Sequence, residues 1–202
     1  MQPFTIVSGI AAPLLAANVD TDVIMPKQFL KGIDRKGLDR GVFFDLRCLP
    51  DGSANPDFIL NQAPWIQARF LVVGPNFGCG SSREHAVWGL QQLGIRALIG
   101  SSFAGIFHDN CQRNGVLLIQ LSEAEVLDIA QQAASPEHAR LTIDLSRQDI
   151  LLGDGRRLHF EIERLRKDAL LQGLDAIGST LQRTSQIRAF EARHHLANPW
   201  LA

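Results

Sequence analysis

Phe70-Leu71-Val72-Val73-Gly74-Pro75-Asn76-Phe77-Gly78-Cys79-Gly80-Ser81-Ser82-Arg83-Glu84-His85 runs from a short apolar stretch through a glycine-rich turn into polar residues that open a helix. The consecutive apolar residues Phe70–Val73 read as a buried strand, because a strand covered on both faces loses the alternation of a half-exposed one. Ser82–Leu93 reads as a helix: Ala86, Val87, Leu90 and Leu93 fall at i, i+1, i+4 and i+7 on one apolar stripe, and Gly94 stands where a left-handed stop belongs. Ile95–Ile99 follows as a second strand, Phe103–Arg113 as a second helix ending near Gly115, and Val116-Leu117-Leu118-Ile119 as a third strand. Strands separated by helices of this length pair in parallel with right-handed crossovers, so the centre of the chain is expected to be a parallel βαβαβ sheet.

Farther along, Ser122-Glu123-Ala124-Glu125 has the spacing of a capping box and opens a helix to about Ala134, ended by Ser135-Pro136. Leu141-Thr142-Ile143-Asp144-Leu145 and Leu158-His159-Phe160-Glu161-Ile162 alternate apolar with polar residues, and Asp154-Gly155 between them suggests a hairpin. The expected class is therefore α/β, with antiparallel strands joining the parallel core or covering one end. Arg164–Leu171 and Leu181–His194 are expected as closing helices and Pro199-Trp200 as a docked or partner-facing tail, so that 164–202 forms a C-terminal helical extension of one domain spanning 1–202. Lys27–Gly41 is basic at Lys27, Lys31, Arg35, Lys36 and Arg40 and broken by Gly32, Gly37 and Gly41, which predicts a mobile, substrate-touching loop over about 27–40.

With 202 residues, 46% of them apolar, the chain can bury a substantial core. Its 20 Lys and Arg against 21 Asp and Glu leave a net charge of −1, so neither nucleic acid nor an anionic membrane is expected as partner, and the ligand is expected to be small. No apolar run approaches the ~20 residues of a membrane helix, and the start MQPFTIVSG lacks the pattern of a signal peptide, so a cytoplasmic location is expected. Cys48, Cys79 and Cys111 are far apart, with no C-x-x-C pair. They indicate neither a disulfide framework nor a metal site carried by this chain alone.

The turn 74–85 feeds a helix N-terminus, where unpaired N–H groups and the positive end of the helix dipole attract carboxylate or phosphate. In an open α/β sheet, the carboxyl end of a strand is also where ligands bind. Other readings compete. Ser81-x-x-Glu84 has the spacing of a capping box, which would make Ser81 an N-cap. Gly78-x-Gly80 begins a dinucleotide fingerprint, but Arg83 takes the third glycine position and no acid follows the next strand at Ile99-Gly100-Ser101-Ser102. Cys79 near a helix N-terminus has the setting of a nucleophile as well as that of a packed cysteine.

Asn76-Phe77-Gly78-Cys79-Gly80-Ser81-Ser82-Arg83-Glu84-His85-Ala86 resembles the signature of the aconitase superfamily's swivelling domain. The likeness extends through Asn18-Val19-Asp20-Thr21-Asp22-Val23-Ile24-Met25-Pro26 and Ser102-Phe103-Ala104-Gly105-Ile106-Phe107 to Asn114-Gly115. With Gly173-Leu174-Asp175-Ala176-Ile177-Gly178-Ser179-Thr180-Leu181 it resembles the isopropylmalate dehydratase small-subunit family over essentially its whole length. The resemblance implies a swivelling β/β/α domain and a hydro-lyase that moves a hydroxyl between adjacent carbons of a malate-type acid. It also implies a [4Fe-4S] cluster carried by a separate large subunit, with no cofactor or metal on this chain.

Carried over by motif, Ser81 is implied as the base, Arg83 as the grip on a substrate carboxylate, Ser82 and Gly80 as further substrate contacts, and Asp22 as the group that orients the site or a partner's histidine. A serine oxyanion needs donors around it, which a helix N-terminus and a fixed guanidinium supply, so cap and base are compatible roles for one hydroxyl. Asp22 also reads as a turn aspartate. Lys27, Lys31 and Arg35 lie in the segment that resembles the family's substrate-recognition region. His85 and His108 read as packing or supporting groups, and Asn76 and Phe77 as shapers of the turn. Two alternatives stay open: a relative acting on citraconate, methylmalate or homoaconitate, and a non-catalytic anion-binding module.

Overall fold

The computed structural model describes residues 1–31, 35–80 and 83–201. The strands are β1 (Ile6–Leu14), β2 (Ala68–Val73), β3 (Ala97–Gly100), β4 (Leu117–Gln120), β5 (Arg140–Asp144), β6 (Asp149–Leu151) and β7 (Arg157–His159). They form one sheet in the order β4-β3-β2-β1-β5-β6-β7. The helices are α1 (Thr21–Ile24), α2 (Phe44–Arg47), α3 (Glu84–Gln92), α4 (Gly105–Asn114), α5 (Glu123–Ala133), α6 (Arg164–Gln172), α7 (Ala176–Leu181) and α8 (Thr184–Ala197).

The βαβαβ core is present as β2-α3-β3-α4-β4, with β2, β3 and β4 paired in parallel. Leu71, Val73 and Leu98 pack on the face toward α3 and α4, while Phe70, Val72, Ala97, Ile99, Leu117 and Ile119 face α5, so both faces are dry. That is why these strands read as apolar runs rather than as alternations. Gly94 stops the helix region at φ 101° and Gly115 caps α4 at φ 78°. β3 begins two residues later than expected, and the Arg96 guanidinium just before it donates to the carbonyls of Gln2 and Pro3 at 3.3 and 2.9 Å. The capping box at Ser122 is formed in full.

β1 is the strand that composition hides. It pairs in parallel with β2 and antiparallel with β5, joining the two halves of the sheet. Gly9 and Pro13 interrupt its pattern, yet Gly9 is where the Arg69 side chain crosses, 2.7 Å from an added Cβ, and the register against β2 shifts between Ile10 and Ala11. The expected hairpin is a three-stranded meander instead: β6 intervenes, and Asp154-Gly155 turns β6 into β7, with Gly155 at φ 91°.

α6 closes over the sheet, burying Leu170, and Gly173 stops it at φ 68°. The helix expected over Leu181–His194 begins three residues later as α8, which buries no residue, and it is preceded by α7, capped by Asp175, which accepts from the Gly178 N–H at 2.6 Å. α8 therefore lies on the surface and closes nothing, and Trp200 beyond it is 76% exposed. Among the described residues no helix is long and apolar enough to cross a membrane.

α4 and α6 meet where Arg166 Nη1 lies 2.7 Å from His108 Nε2. Burial, and then the Arg166 charge, push the His108 imidazole below its ordinary value against the opposing pull of Asp109. A lowered imidazole pKa in the folded state makes the unfolded chain bind the proton first, so stability is complete above the ordinary imidazole range near 6.5 and declines as pH falls below it. The urea midpoint should therefore drop between pH 7.5 and pH 5.5, and by less in His108→Gln; equal drops would remove His108 from the pH dependence.

Candidate active site

The turn that follows β2 is held from both sides by backbone bonds. Toward the loop after β1, Asn18 N donates to Pro75 O at 2.9 Å, Gly78 N to Val19 O at 2.8 Å and Thr21 N to Cys79 O at 2.9 Å, which makes a short parallel bridge. Toward the loop after β3, Phe77 N donates to Ser102 O at 3.3 Å and Ala104 N to Phe77 O at 3.0 Å, while Asn76 N donates to Ser102 Oγ at 2.8 Å. Asn76, at φ 55°, also donates from Nδ2 to Asn18 Oδ1 at 2.8 Å. Three loops at the carboxyl ends of three adjacent parallel strands are thus laced together, at the position where open α/β sheets bind ligands.

Gly78 sits at φ 78°, and a Cβ there would lie 2.1 Å from the Phe107 ring. The glycine lets α4 approach the turn, and Phe77 and Phe107 pack edge to face at 5.7 Å. Cys79 is tied down too: its thiol donates to Asn18 O at 3.3 Å.

α1 is a single turn. Asp20 caps it by accepting from Val23 N at 2.8 Å, which leaves Asp22 free to reach outward. Asp22 Oδ1 pairs with Arg83 Nη1, and Lys27 Nζ stands 3.9 Å from Asp22 Oδ2. Arg83 is the N-cap of α3, extended at φ −127° and ψ 108° without a side-chain cap, so the helix begins at Glu84 rather than Ser82. Glu84 accepts from Asn114 Nδ2 at 2.7 Å, and Asn114 Oδ1 accepts from Trp88 Nε1 at 3.0 Å, linking α3 to the end of α4. Ser81 and Ser82 lie outside the described residues.

Asp22, Arg83, Lys27 and Gly80 are therefore brought to one place. Gly80, at φ 86°, packs on Asp20, with an added Cβ 3.2 Å from that side chain. A cavity of ≈ 140 Å³ opens between Gly80, Arg83 and the first turn of α4. Lys31 is exposed at the end of the 3-10 turn over Lys27–Leu30. Arg35 is engaged elsewhere, its guanidinium stacked 4.0 Å over the Trp88 ring. The described part of 27–40 is anchored more than its polarity suggests: Leu38 is buried, and its N–H donates to Gln92 Oε1 at 2.9 Å. His85 packs on Trp88, ring centroids 4.7 Å apart. Asn18, Ser102 and Phe107, which lie in the stretches that carry the resemblance but to which the sequence assigns no role, complete the frame.

Residues 1–124 match the family model of the aconitase C-terminal domain, and residues 177–202 match that of the C-terminal domain of the 3-isopropylmalate dehydratase small subunit. The chain is 61% identical to 3-isopropylmalate dehydratase small subunit 1 of Mannheimia succiniciproducens, over 100% of this chain and 99% of that one. It is 56% identical to small subunit 2 of Salmonella typhimurium, over 100% and 96% of the two chains. The chain belongs to the 3-isopropylmalate dehydratase small-subunit family. The solved 3-isopropylmalate dehydratase of Methanocaldococcus jannaschii superposes with a TM-score of 0.67 at 25% identity, over 93% of this chain and 99% of that one. The aconitase-domain match spans all three laced loops, so the frame of the site is family architecture.

The close approach of α4 to the turn can be tested at Gly78. Gly78→Ala should meet both a left-handed φ, worth ~1–2 kcal/mol, and overpacking against Phe107, worth ~1–3 kcal/mol. Chemical denaturation should show a loss in the range of their sum, and an unchanged midpoint would mean that the turn yields.

Proposed function

We propose that this chain, joined to a large subunit as a heterodimer, isomerises 2-isopropylmalate and 3-isopropylmalate by dehydration and rehydration in the cytoplasmic synthesis of leucine. The observation that carries the reading is the Arg83–Asp22 ion pair, set beside a cavity at the carboxyl ends of the parallel strands in a chain of this family. Arg83 spends one Nη on Asp22, which fixes the guanidinium plane, and its planar fork keeps further N–H donors for a substrate carboxylate. Lys27, near the same Asp22, adds positive charge at the entrance.

In this reading the Ser81 oxygen takes the proton from the carbon next to the one that bears the hydroxyl. The C–O bond then breaks, the hydroxyl leaving as hydroxide that takes up a proton to become water, and isopropylmaleate remains; water adds back in the opposite sense, its hydroxyl to the carbon that lost the proton and the proton from Ser81 to the carbon that lost the hydroxyl. Ser82 and Gly80 contribute hydrogen bonds to the bound acid, and the segment about 27–40, with Lys31 and Arg35, orders over it.

The cysteines of this chain do not suit a cluster. Burial pushes the Cys111 thiol up and away from the thiolate form, Cys79 is committed to Asn18, and no three metal-binding side chains converge among the described residues. The [4Fe-4S] cluster belongs in this reading to the large subunit, where its Lewis acidity would polarise the departing hydroxyl.

The test is reconstitution with a cluster-loaded large subunit under anaerobic conditions. The pair should interconvert the two isopropylmalates, and this chain alone should not. In the pair, Ser81→Ala should lose at least ~100-fold in kcat at similar KM, as removal of a general base does. Arg83→Lys should raise KM more than Ser81→Ala does. Near-normal turnover by Ser81→Ala would move the base to the large subunit.

A further inference from the structure

We propose that Asn110 and the first turn of α4 form the far wall of the carboxylate seat that Arg83 opens, so that one substrate carboxylate is held between them. The inference rests on the hydro-lyase reading for the identity of the acid. Asn110 is 6% exposed and lines the same cavity as Arg83 and Gly80. Its side-chain amide has no hydrogen-bond partner among the described residues, although neighbouring Asn114 is satisfied three times over. With no protein partner among the described residues, this amide is left to water or to a ligand that enters the cavity.

The helix end points the same way. Ala104, the N-cap of α4, offers no side-chain acceptor, and no acceptor among the described residues reaches the N–H groups of Gly105, Ile106 and Phe107. A ten-residue helix brings the positive end of its dipole there. A Cβ built on Gly105 meets nothing within 4 Å, so there is room against that turn. Among the described residues no aspartate or glutamate lines the cavity: its polar groups there are the Arg83 guanidinium, the Asn110 amide, the Thr21 hydroxyl and backbone N–H donors. Such a lining suits an anion with oxygen acceptors. Ile106 and Phe107 add an apolar flank for the carbon skeleton.

The test uses the assembled, cluster-loaded pair. Asn110→Ala should raise KM for isopropylmalate roughly ten-fold with kcat within about three-fold of wild type, the pattern of a lost binding contact. Asn110→Asp, which puts a like charge in the seat, should raise KM further. Gly105→Asp supplies a tethered carboxylate on a helix N-terminus that tolerates it, so it should fold at least as stably and also raise KM; it serves if the Asn110 variants fail to fold. In parallel, malate is titrated into the pair with only this chain isotope-labelled, and the Gly105 and Ile106 amides and the Asn110 side-chain amide should shift together. A wild-type pair that turns over isopropylmalate while all three variants keep its KM would overturn the seat and leave the hydro-lyase reading standing. A wild-type pair that turns over nothing, yet shows these shifts with malate, would overturn the reading and keep the seat; no shifts would overturn the seat.

Discussion

The site depends on the lacing of the turn 75–79 by backbone hydrogen bonds to Asn18–Thr21 on one side and Ser102–Ala104 on the other. Each bond is ordinary, but together they lock three crossover loops that would otherwise move independently of the sheet. Side chains then need only short reaches. Asp22 comes from a single helical turn anchored at Cys79, Arg83 from the strand-like residue just before α3, and Phe107 fills the space that Gly78 leaves. Much of the precision of the site is thus main-chain geometry, which tolerates side-chain change except at the glycines.

Asp22 both lowers and sharpens the charge that Arg83 presents. A lone guanidinium on a flexible stem would hold an anion in many poses, and pairing removes most of them at the cost of some net positive potential. Lys27, 3.9 Å from the same carboxylate, returns part of that potential. The Glu84–Asn114–Trp88 chain holds the start of α3 against the end of α4, so the helix behind Arg83 and the one facing it move as one body.

The parallel core was legible because Phe70–Val73 and Val116–Ile119 are dry on both faces and because Gly94 and Gly115 stop their helices where left-handed glycines should. β1 was not, since its Gly9 and Pro13 weaken the local pattern and its place comes from partners distant in sequence, Arg69 and β5. β6 is three residues long, too short to register against the turn residues around it. For the site, the motif pointed to Asp22 and Arg83 as separate candidates, and only the fold shows them in contact. α3 begins two residues later than its apolar stripe suggests because Arg83, next to Asp22, is extended, which the spacing of the stripe does not reveal. Asn110 left no signal: an asparagine in a helical stretch reads as a surface residue until the packing of α4 turns it inward.

The place of β1 also has a consequence for how the chain emerges from a ribosome. One of its edges is covered by β2, which follows within about sixty residues, but the other waits for β5, from residue 14 to residue 140. At ~5–20 residues per second, a gap of about 126 residues leaves that edge open for roughly 6–25 s of synthesis. During that interval the nascent sheet carries an apolar, unpaired strand at what will become its centre, the stage at which holding chaperones matter most. The segment before β1 is fastened later still: the Phe4 N–H donates to Leu170 O at 2.9 Å, so it is held only once α6 has been made.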